Sequence, residues 1–366
     1  MNEKEELVNL TKDLIQFKST KDKPEEIKKC MKYISNYFEN SVFMVKEFEH
    51  NGKFSMVVSF EDKKSFDLII NGHIDVVEAD EEQFNPRVEE NKLFGRGAVD
   101  MKAGIAASML VMKNAALQKS KPNIALMIVG DEEIGGFNGT NYLVNELNYT
   151  AKFVIAAEPN HVDSIDKLNI LVAEKGVLWL KIKTKGIAAH AARPWLGKNA
   201  IDLLIKKYTE IKKLFAKNVR VENFWQTTIN LSTISAGTTA NKVPDNAEMI
   251  LDIRYVETDS IESILQKLNL IKDIEIEVLT KGSMIFNKEM EKIYTLVTTI
   301  KEITKNDVEL IKESGSSDLR FTSENKIPSV LCGPCGKNYH GKDEFVYISS
   351  LELIYKTLNK FVIDNY

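Results

Sequence analysis

The sequence predicts an α/β protein: a mostly parallel sheet flanked by helices, interrupted by an inserted β-α-β-β-α-β unit. Three observations predict it. Short, continuously apolar runs such as Leu68-Ile69-Ile70 and Ile124-Ala125-Leu126-Met127-Ile128-Val129 read as strands buried on both faces. They alternate with stretches of helical periodicity, which places helices as crossovers between parallel strands. Between about Gly176 and Thr280 the texture changes to the strand and helix order of a ferredoxin-like domain.

In chain order, Leu7, Leu10, Leu14, Ile15 and Phe17 recur at helical spacing, and a second amphipathic run follows Pro24 to about Tyr37. Strands are expected at Ser55–Phe60 and Phe66–Asn71, a helix at Met101–Gln118, a strand at Ile124–Val129, a helix near Thr140–Asn148 and a strand at Phe153–Ala157. The inserted unit reads as strand Leu178–Thr184, helix Ala200–Phe215, strands Thr227–Ile234 and Glu248–Tyr255, helix Ile261–Leu270 and strand Ile274–Leu279. The α/β pattern then returns with helix Glu289–Thr304, strand Val308–Ile311, a helix near Leu319–Ser323, strand Ser329–Leu331 and helix Ser349–Ile363. Residues 1–176 and 283–366 are thus expected to form one domain and 177–282 a second.

A chain of 366 residues suits two domains. The 43% hydrophobic and 28% charged residues are those of an ordinary globular protein. Lys and Arg number 49 against 53 Asp and Glu, a net charge of −4, which leaves no electrostatic case for nucleic acid. No apolar run of about 18 residues exists to cross a membrane. The opening Asn2-Glu3-Lys4-Glu5-Glu6 lacks the order of a secretory signal, so a cytoplasmic protein is expected. Three cysteines are too few for a disulfide framework.

In parallel sheets ligands gather beyond the carboxyl ends of the strands. There the sequence delivers His73 and Asp75, Asp100 at a helix start, Asp131-Glu132-Glu133, Glu158, and a loop ending in His340. Carboxylates crowded in one crevice raise one another's pKa, and a pair of divalent cations removes the conflict. Imidazoles and carboxylates are ligands suited to zinc, with cobalt or manganese as substitutes, and two such metals share one bridging carboxylate. His73 and Asp75, two apart on an extended strand end, point the same way, so Asp75 can accept from the second ring nitrogen of His73. The short stem of Asp100 suits a bridge. Glu132 and Glu133 diverge, so one can bind metal while the other serves as a base.

Gly72-His73-Ile74-Asp75, Gly95-Arg96-Gly97 with Asp100-Met101-Lys102, Asp131-Glu132-Glu133 and Glu158-Pro159 occur in this order. Together they resemble the zinc-dependent aminoacylase and carboxypeptidase superfamily, over essentially the whole chain, with the succinyl-diaminopimelate desuccinylase and acetylornithine deacetylase branch the most similar. The resemblance implies a zinc-peptidase-like fold whose inserted unit is a lid and dimerisation domain, and a homodimer formed through it. It implies two divalent metal ions, zinc first. His73 and Glu158 would bind one, Glu133 and His340 the other, and Asp100 would bridge them. Glu132 would be the general base toward water and the donor to the leaving amine, with Asp75 supporting His73. The peptide bond after Asp100 would be cis.

From the lid, Lys185-Gly186-Ile187-Ala188-Ala189-His190 is similar to the family motif whose histidine reaches a partner subunit's site and donates to the developing oxyanion. By the same resemblance Asn241 and Arg254 would meet the substrate, Arg254 through its carboxylate. Ser317, in Ser314-Gly315-Ser316-Ser317-Asp318, would line the substrate end. The resemblance also implies, from Glu rather than Asp at position 158, an N-acyl amino acid substrate, N-succinyl- or N-acetyl-diaminopimelate or acetylornithine. The alternatives are a metal-dependent dipeptidase or carboxypeptidase acting on short peptides, a metal-binding protein without turnover, and a thiol oxidoreductase using Cys332-Gly333-Pro334-Cys335. Blander readings make Arg254 a sheet-face ion pair, Asn241 a turn residue and Asp318 a helix cap. His50 and His161 stand in polar, turn-like sequence and carry no assignment.

Overall fold

The structure is a computed structural model that describes residues 2–40, 42–159, 165–215 and 220–366; His161 lies outside them. The chain divides into two compact units, Met1–Ala173 with Asn287–Ile311 and Ser317–Tyr366, and Glu174–Phe286 with Lys312–Ser316. The sequence puts the boundaries after 176 and 282. The chain enters the second unit earlier because Lys175 is already tied there, its Nζ donating to the carbonyls of Phe224 and Gln226. Lys312 joins the same unit over the ring of Trp225, 4.7 Å from its centroid.

The first unit is built on a sheet whose strands run in the order Met44–His50, Lys53–Ser59, Ile124–Val129, Leu68–His73, Val154–Ala156, Ser329–Leu331, Ile170–Glu174. The four strands from Ile124–Val129 to Ser329–Leu331 pair in parallel. The flanking strands pair antiparallel. Parallel register brings His73 level with Val129, and Asn71 level with Ala156. The carboxyl ends of these strands therefore form one rim.

Local chemistry sets the helices. Asn2 and Glu5 exchange side-chain and backbone hydrogen bonds in a capping box that starts helix Glu3–Gln16. Pro24 occupies the first turn of helix Pro24–Tyr37, where its missing N–H costs nothing. Helix Ala103–Ala115 is apolar on every side and almost entirely buried, packed against helices Glu3–Gln16 and Ile348–Asn365. It begins later than the expected Met101 because Asp100 and Met101 hold non-helical backbone angles, and the peptide bond joining them is cis.

The second unit has a four-stranded antiparallel sheet in the order Thr228–Ala236, Asn246–Tyr255, Gly176–Lys185, Glu275–Gly282. Leu178, Leu180 and Ile182 alternate inward with Met249, Leu251 and Ile253, and meet Leu204, Ile211, Ile264 and Leu268 of the helices Ala200–Lys212 and Ile261–Asn269.

Among the longer strands, Met44–His50 and Ile170–Glu174 escape the sequence reading, and so do short ones such as Arg87–Glu89, Lys92–Phe94 and Phe345–Tyr347. The first is an edge strand with half-exposed, charged residues, so it shows no continuous apolar run. No helix among the described residues is long and apolar enough to cross a membrane.

The Cys332–Cys335 stretch lacks the surroundings a redox pair needs. Both side chains are buried, and none of the three cysteines is in a disulfide. No helix begins there: the Cys332 N–H bonds Ala156, and that of Cys335 bonds Ser350 Oγ at 2.7 Å. Burial pushes the Cys332 thiol up to about 12, and Cys30 likewise, so the reactive thiolate is scarce near neutrality. Gly333 has a packing role, since a Cβ there would stand 2.1 Å from the carbonyl oxygen of Glu158. Iodoacetamide at pH 8 should leave Cys30 and Cys332 unlabelled in the native protein and label them after denaturation, as read by mass spectrometry. Fast native labelling of Cys332 would contradict its burial.

Candidate metal and catalytic centre

His73 ends the central strand and is 1% exposed. Its Nδ1 lies 3.0 Å from the main-chain oxygen of Asp75 and 3.5 Å from the Asp75 carboxylate. The nearer partner is thus the carbonyl, where the sequence suggests the carboxylate. Either acceptor puts the ring proton on Nδ1 and turns the Nε2 lone pair into the site. The Asp75 carboxylate is used on the neighbouring loop, where it accepts the N–H groups of Glu132 at 3.2 Å and Glu133 at 2.9 Å. It thereby joins the end of the His73 strand to the two glutamates.

Asp100 is the meeting point. One carboxylate oxygen is 3.2 Å from His73 Nε2, the other 3.3 Å from His340 Nε2. His340 Nε2 is also 3.3 Å from Glu133 Oε1, and Asp100, Glu133 and His340 offer ligand atoms all within 4.8 Å of one another. Glu132 Oε2 lies 3.9 Å from His73 Nε2. Glu158 follows the strand Val154–Ala156 on the same rim, near enough for its charge to act on Glu132.

The electrostatics follow from crowding. Hydrogen bonds to Asp100 and Glu133 raise His340 to about 10. Burial alone would depress His73, yet its bonds to Asp100 and Asp75 lift it well above the usual imidazole value. Burial would raise the Asp100 carboxyl, but the bonds from His340 and His73 hold it far below the carboxylate range. Glu132 goes the other way: burial pushes it well up, and the charges of Asp318, Glu158 and Asp75 add to this against the opposing pull of His73. The cluster thus calls for positive charge at its centre. Its imidazole and carboxylate donors, with one carboxylate spanning two imidazoles, fit a pair of divalent ions such as zinc, cobalt or manganese.

Behind Glu132 lie two further acids that the sequence leaves unassigned or misassigns. Asp318 makes no capping bond to its helix; it is 1% exposed and accepts from Thr140 Oγ1 at 2.7 Å. Gly136, with φ of 61°, makes room for it, since a Cβ there would fall 1.8 Å from Asp318 Oδ1. Asp131 accepts from the Asn138 N–H at 2.8 Å, and burial raises its carboxyl to about 7. Glu344 and Arg96 are a second omission. Arg96 stands in the Gly95-Arg96-Gly97 motif, four residues before Asp100, and Glu344 four past His340, but neither place tells that the two pair.

Of the remaining residues, His190, Asn241 and Arg254 belong to the second unit and Ser317 to the first. His190 is exposed in the second unit on a two-residue strand paired with Lys242–Val243, and Asn241 is beside it, its carbonyl accepting from Ala191. The guanidinium of Arg254 forms two hydrogen bonds with Asp252, at 2.9 and 3.2 Å, so the sheet-face ion pair is present. Ser317, in the first unit, is buried, and its carbonyl accepts from Arg320. The His50 ring stacks on Tyr142 at 4.1 Å, a packing role.

Known proteins resemble the chain over most of its length. Residues 69–364 match the model of peptidase family M20/M25/M40. A succinyl-diaminopimelate desuccinylase of Pelagibacter ubique is 31% identical over 318 residues, 81% of each chain. Among solved structures, aminopeptidase PepT from Bacillus cereus superposes with a TM-score of 0.79 at 19% identity over 98% of both chains. A protein from Bacillus subtilis described as a dinuclear metal binding peptidase from the M20 family gives 0.68 at 15%, over 99% of this chain and 98% of that one. These two likenesses speak to fold. Fold, rim and family match agree: the chain belongs to peptidase family M20/M25/M40, as a metal-dependent hydrolase.

Proposed function

We propose that the protein removes the acyl group from an N-acylated amino acid, with N-succinyl- or N-acetyl-diaminopimelate and acetylornithine as the candidate substrates. The observation that carries the hydrolytic centre is Asp100 standing between His73 and His340. The acyl-amino-acid preference is supported by Glu158 and by the named activity of the relatives. Two divalent ions, zinc first, would be held by His73 and Glu158 on one side, by Glu133 and His340 on the other, and by Asp100 between. When bound, they supply Lewis acidity toward the acyl carbonyl and lower the pKa of water.

The chain's own groups move the proton. Glu132 takes one from the attacking water as the C–O bond forms, and gives it to the amine nitrogen as the C–N bond breaks. Burial and the surrounding acids, which favour the protonated form of Glu132, suit it to the second half of that task. Asp75 keeps Glu132 and Glu133 in register through their N–H groups. In the second unit, which we read as a lid and dimerisation domain, His190 Nδ1 accepts the Ala192 N–H at 3.1 Å. The ring proton is thereby left on Nε2, the form an oxyanion donor needs, and we assign His190 that role in the site of a partner subunit. Asn241 remains a candidate substrate contact beside it. Arg254 would have to share its fork with Asp252, and the burial of Ser317 suits it to ordering its loop.

A panel of N-succinyl- and N-acetyl-diaminopimelate, acetylornithine and free dipeptides, assayed with added zinc, tests the proposal. The acyl amino acids should be hydrolysed with the higher kcat/KM, and a chelator should abolish turnover reversibly. Preference for dipeptides would make the protein a peptidase, and full turnover in excess chelator would remove the metal. Glu132→Gln should lower kcat by about 10²–10⁴-fold with metal content unchanged; wild-type turnover would place the base elsewhere. His190→Ala should lower kcat by about 10²–10³-fold at unchanged metal content, and an unaltered kcat would end its assignment.

A further inference from the structure

Glu344 is 1% exposed, and four donors converge on its carboxylate. Oε2 accepts from Arg96 Nη1 at 2.5 Å and from the Gly97 N–H at 2.9 Å. Oε1 accepts from the N–H groups of Val99 at 3.0 Å and Asp100 at 3.2 Å. One side chain thus fixes the backbone of the loop that ends in Asp100. Arg96, 2% exposed, turns its Nη2 to the carbonyl of Gly341 at 2.9 Å, the residue after His340. Gln83 Nε2 donates to the carbonyls of Gly341 at 3.0 Å and Lys342 at 2.7 Å, and the Gly95 N–H bonds the Glu344 carbonyl at 3.0 Å.

The His340 loop needs such holding. Asn338 and His340 have φ of 60° and 62°, a region that costs a residue with a side chain unless its neighbours enforce it. His340 itself is exposed, so packing contributes little to fixing its ring. The His73 side is secured differently, by the central strand and the bond from Nδ1 to Asp75. Glu133 is anchored from Asp75. The Arg96–Glu344 pair therefore bears on Asp100 and His340 together, and reaches His73 only through Asp100.

We propose that Glu344, acting with Arg96, is a positioning residue that sets the spacing of Asp100 and His340, and so governs the metal position formed by Asp100, Glu133 and His340. It touches neither metal nor substrate. This rests on the reading of those residues as ligands. Glu344→Gln keeps the size but turns an NH2 group toward Arg96 or toward the two backbone N–H groups, setting donor against donor.

The test is zinc titration of the full-length protein after chelator treatment, with each of two affinities read by competition with a chromophoric chelator. Wild type should take two ions. Glu344→Gln should weaken one of them by about 10–100-fold and the other, which shares only Asp100 with it, by clearly less. Arg96→Lys, which keeps the charge and loses the fork to Gly341, should weaken the same ion by less. Two wild-type affinities in both variants, or an equal loss at both positions, would overturn the positioning role. Should Glu344→Gln fail to fold, Arg96→Lys decides by the same criterion. A wild type that binds fewer than two zinc ions would instead defeat the two-metal reading, on which the proposal stands.

Discussion

Asp100 gives one oxygen to His73 and the other to His340, and much of the first unit exists to hold it there. The constraint is electrostatic. A parallel sheet collects whatever follows its strands onto one rim, and here the followers are acids: Glu132 and Glu133 after one strand, Glu158 after the next. Like charges in a buried crevice cannot all ionise without a counter-charge. In the protein alone, the bonds that His73 and His340 share with Asp100 displace the two imidazoles upward and the carboxyl downward. Divalent ions would provide the counter-charge more fully, and the donor arrangement already has the connectivity they require.

The central strands were legible in the sequence because they are buried on both faces and so write uninterrupted apolar runs. The rim residues were legible because strand ends are where parallel sheets put chemistry. What lay hidden has a common physical character. The edge strand Met44–His50 carries charge on its exposed side, so its pattern resembles a loop. Asp318 looks like a helix cap in sequence because an acid before a helix usually is one, yet a glycine far away in the chain opens a buried place for it. Glu344 and Arg96 meet across a separation of 248 residues, and no local pattern encodes such a pair. Arg254 shows the converse: the resemblance implies a substrate contact, while the neighbour two residues before it on the strand occupies its guanidinium.

The second unit follows a different logic. Its core is the alternating face of an antiparallel sheet, and two of its candidate functional groups sit at a separate two-stranded ribbon, where His190 pairs with Lys242 and the Asn241 carbonyl accepts from Ala191. His190 and Asn241 are exposed there and belong to no core cluster, so the packing of the unit depends little on them. Under the proposed reading, substrate preference would vary at positions such as Asn241 without a cost in the core, while Asp75 and Asp100 on the rim of the first unit also hold their neighbours in place and would tolerate little change.

Glu132 and Glu133 make the strongest case that environment, not residue type, assigns the roles. They are adjacent, identical, and hung from the two oxygens of one carboxylate, Asp75. The side chain of Glu133 meets His340 and falls within the ligand cluster. The side chain of Glu132 turns toward His73 at a longer 3.9 Å, with Asp318 and Glu158 close enough to penalise its charge. A carboxylate in the first setting is a good ligand, because its charge is matched. In the second, burial and the neighbouring acids disfavour the charge, the setting that the proposed transfer of a proton to a leaving nitrogen would use. The buried Asp318 adds to this at a distance: after burial itself, its charge works against the Glu132 anion, and so helps keep the two glutamates chemically distinct.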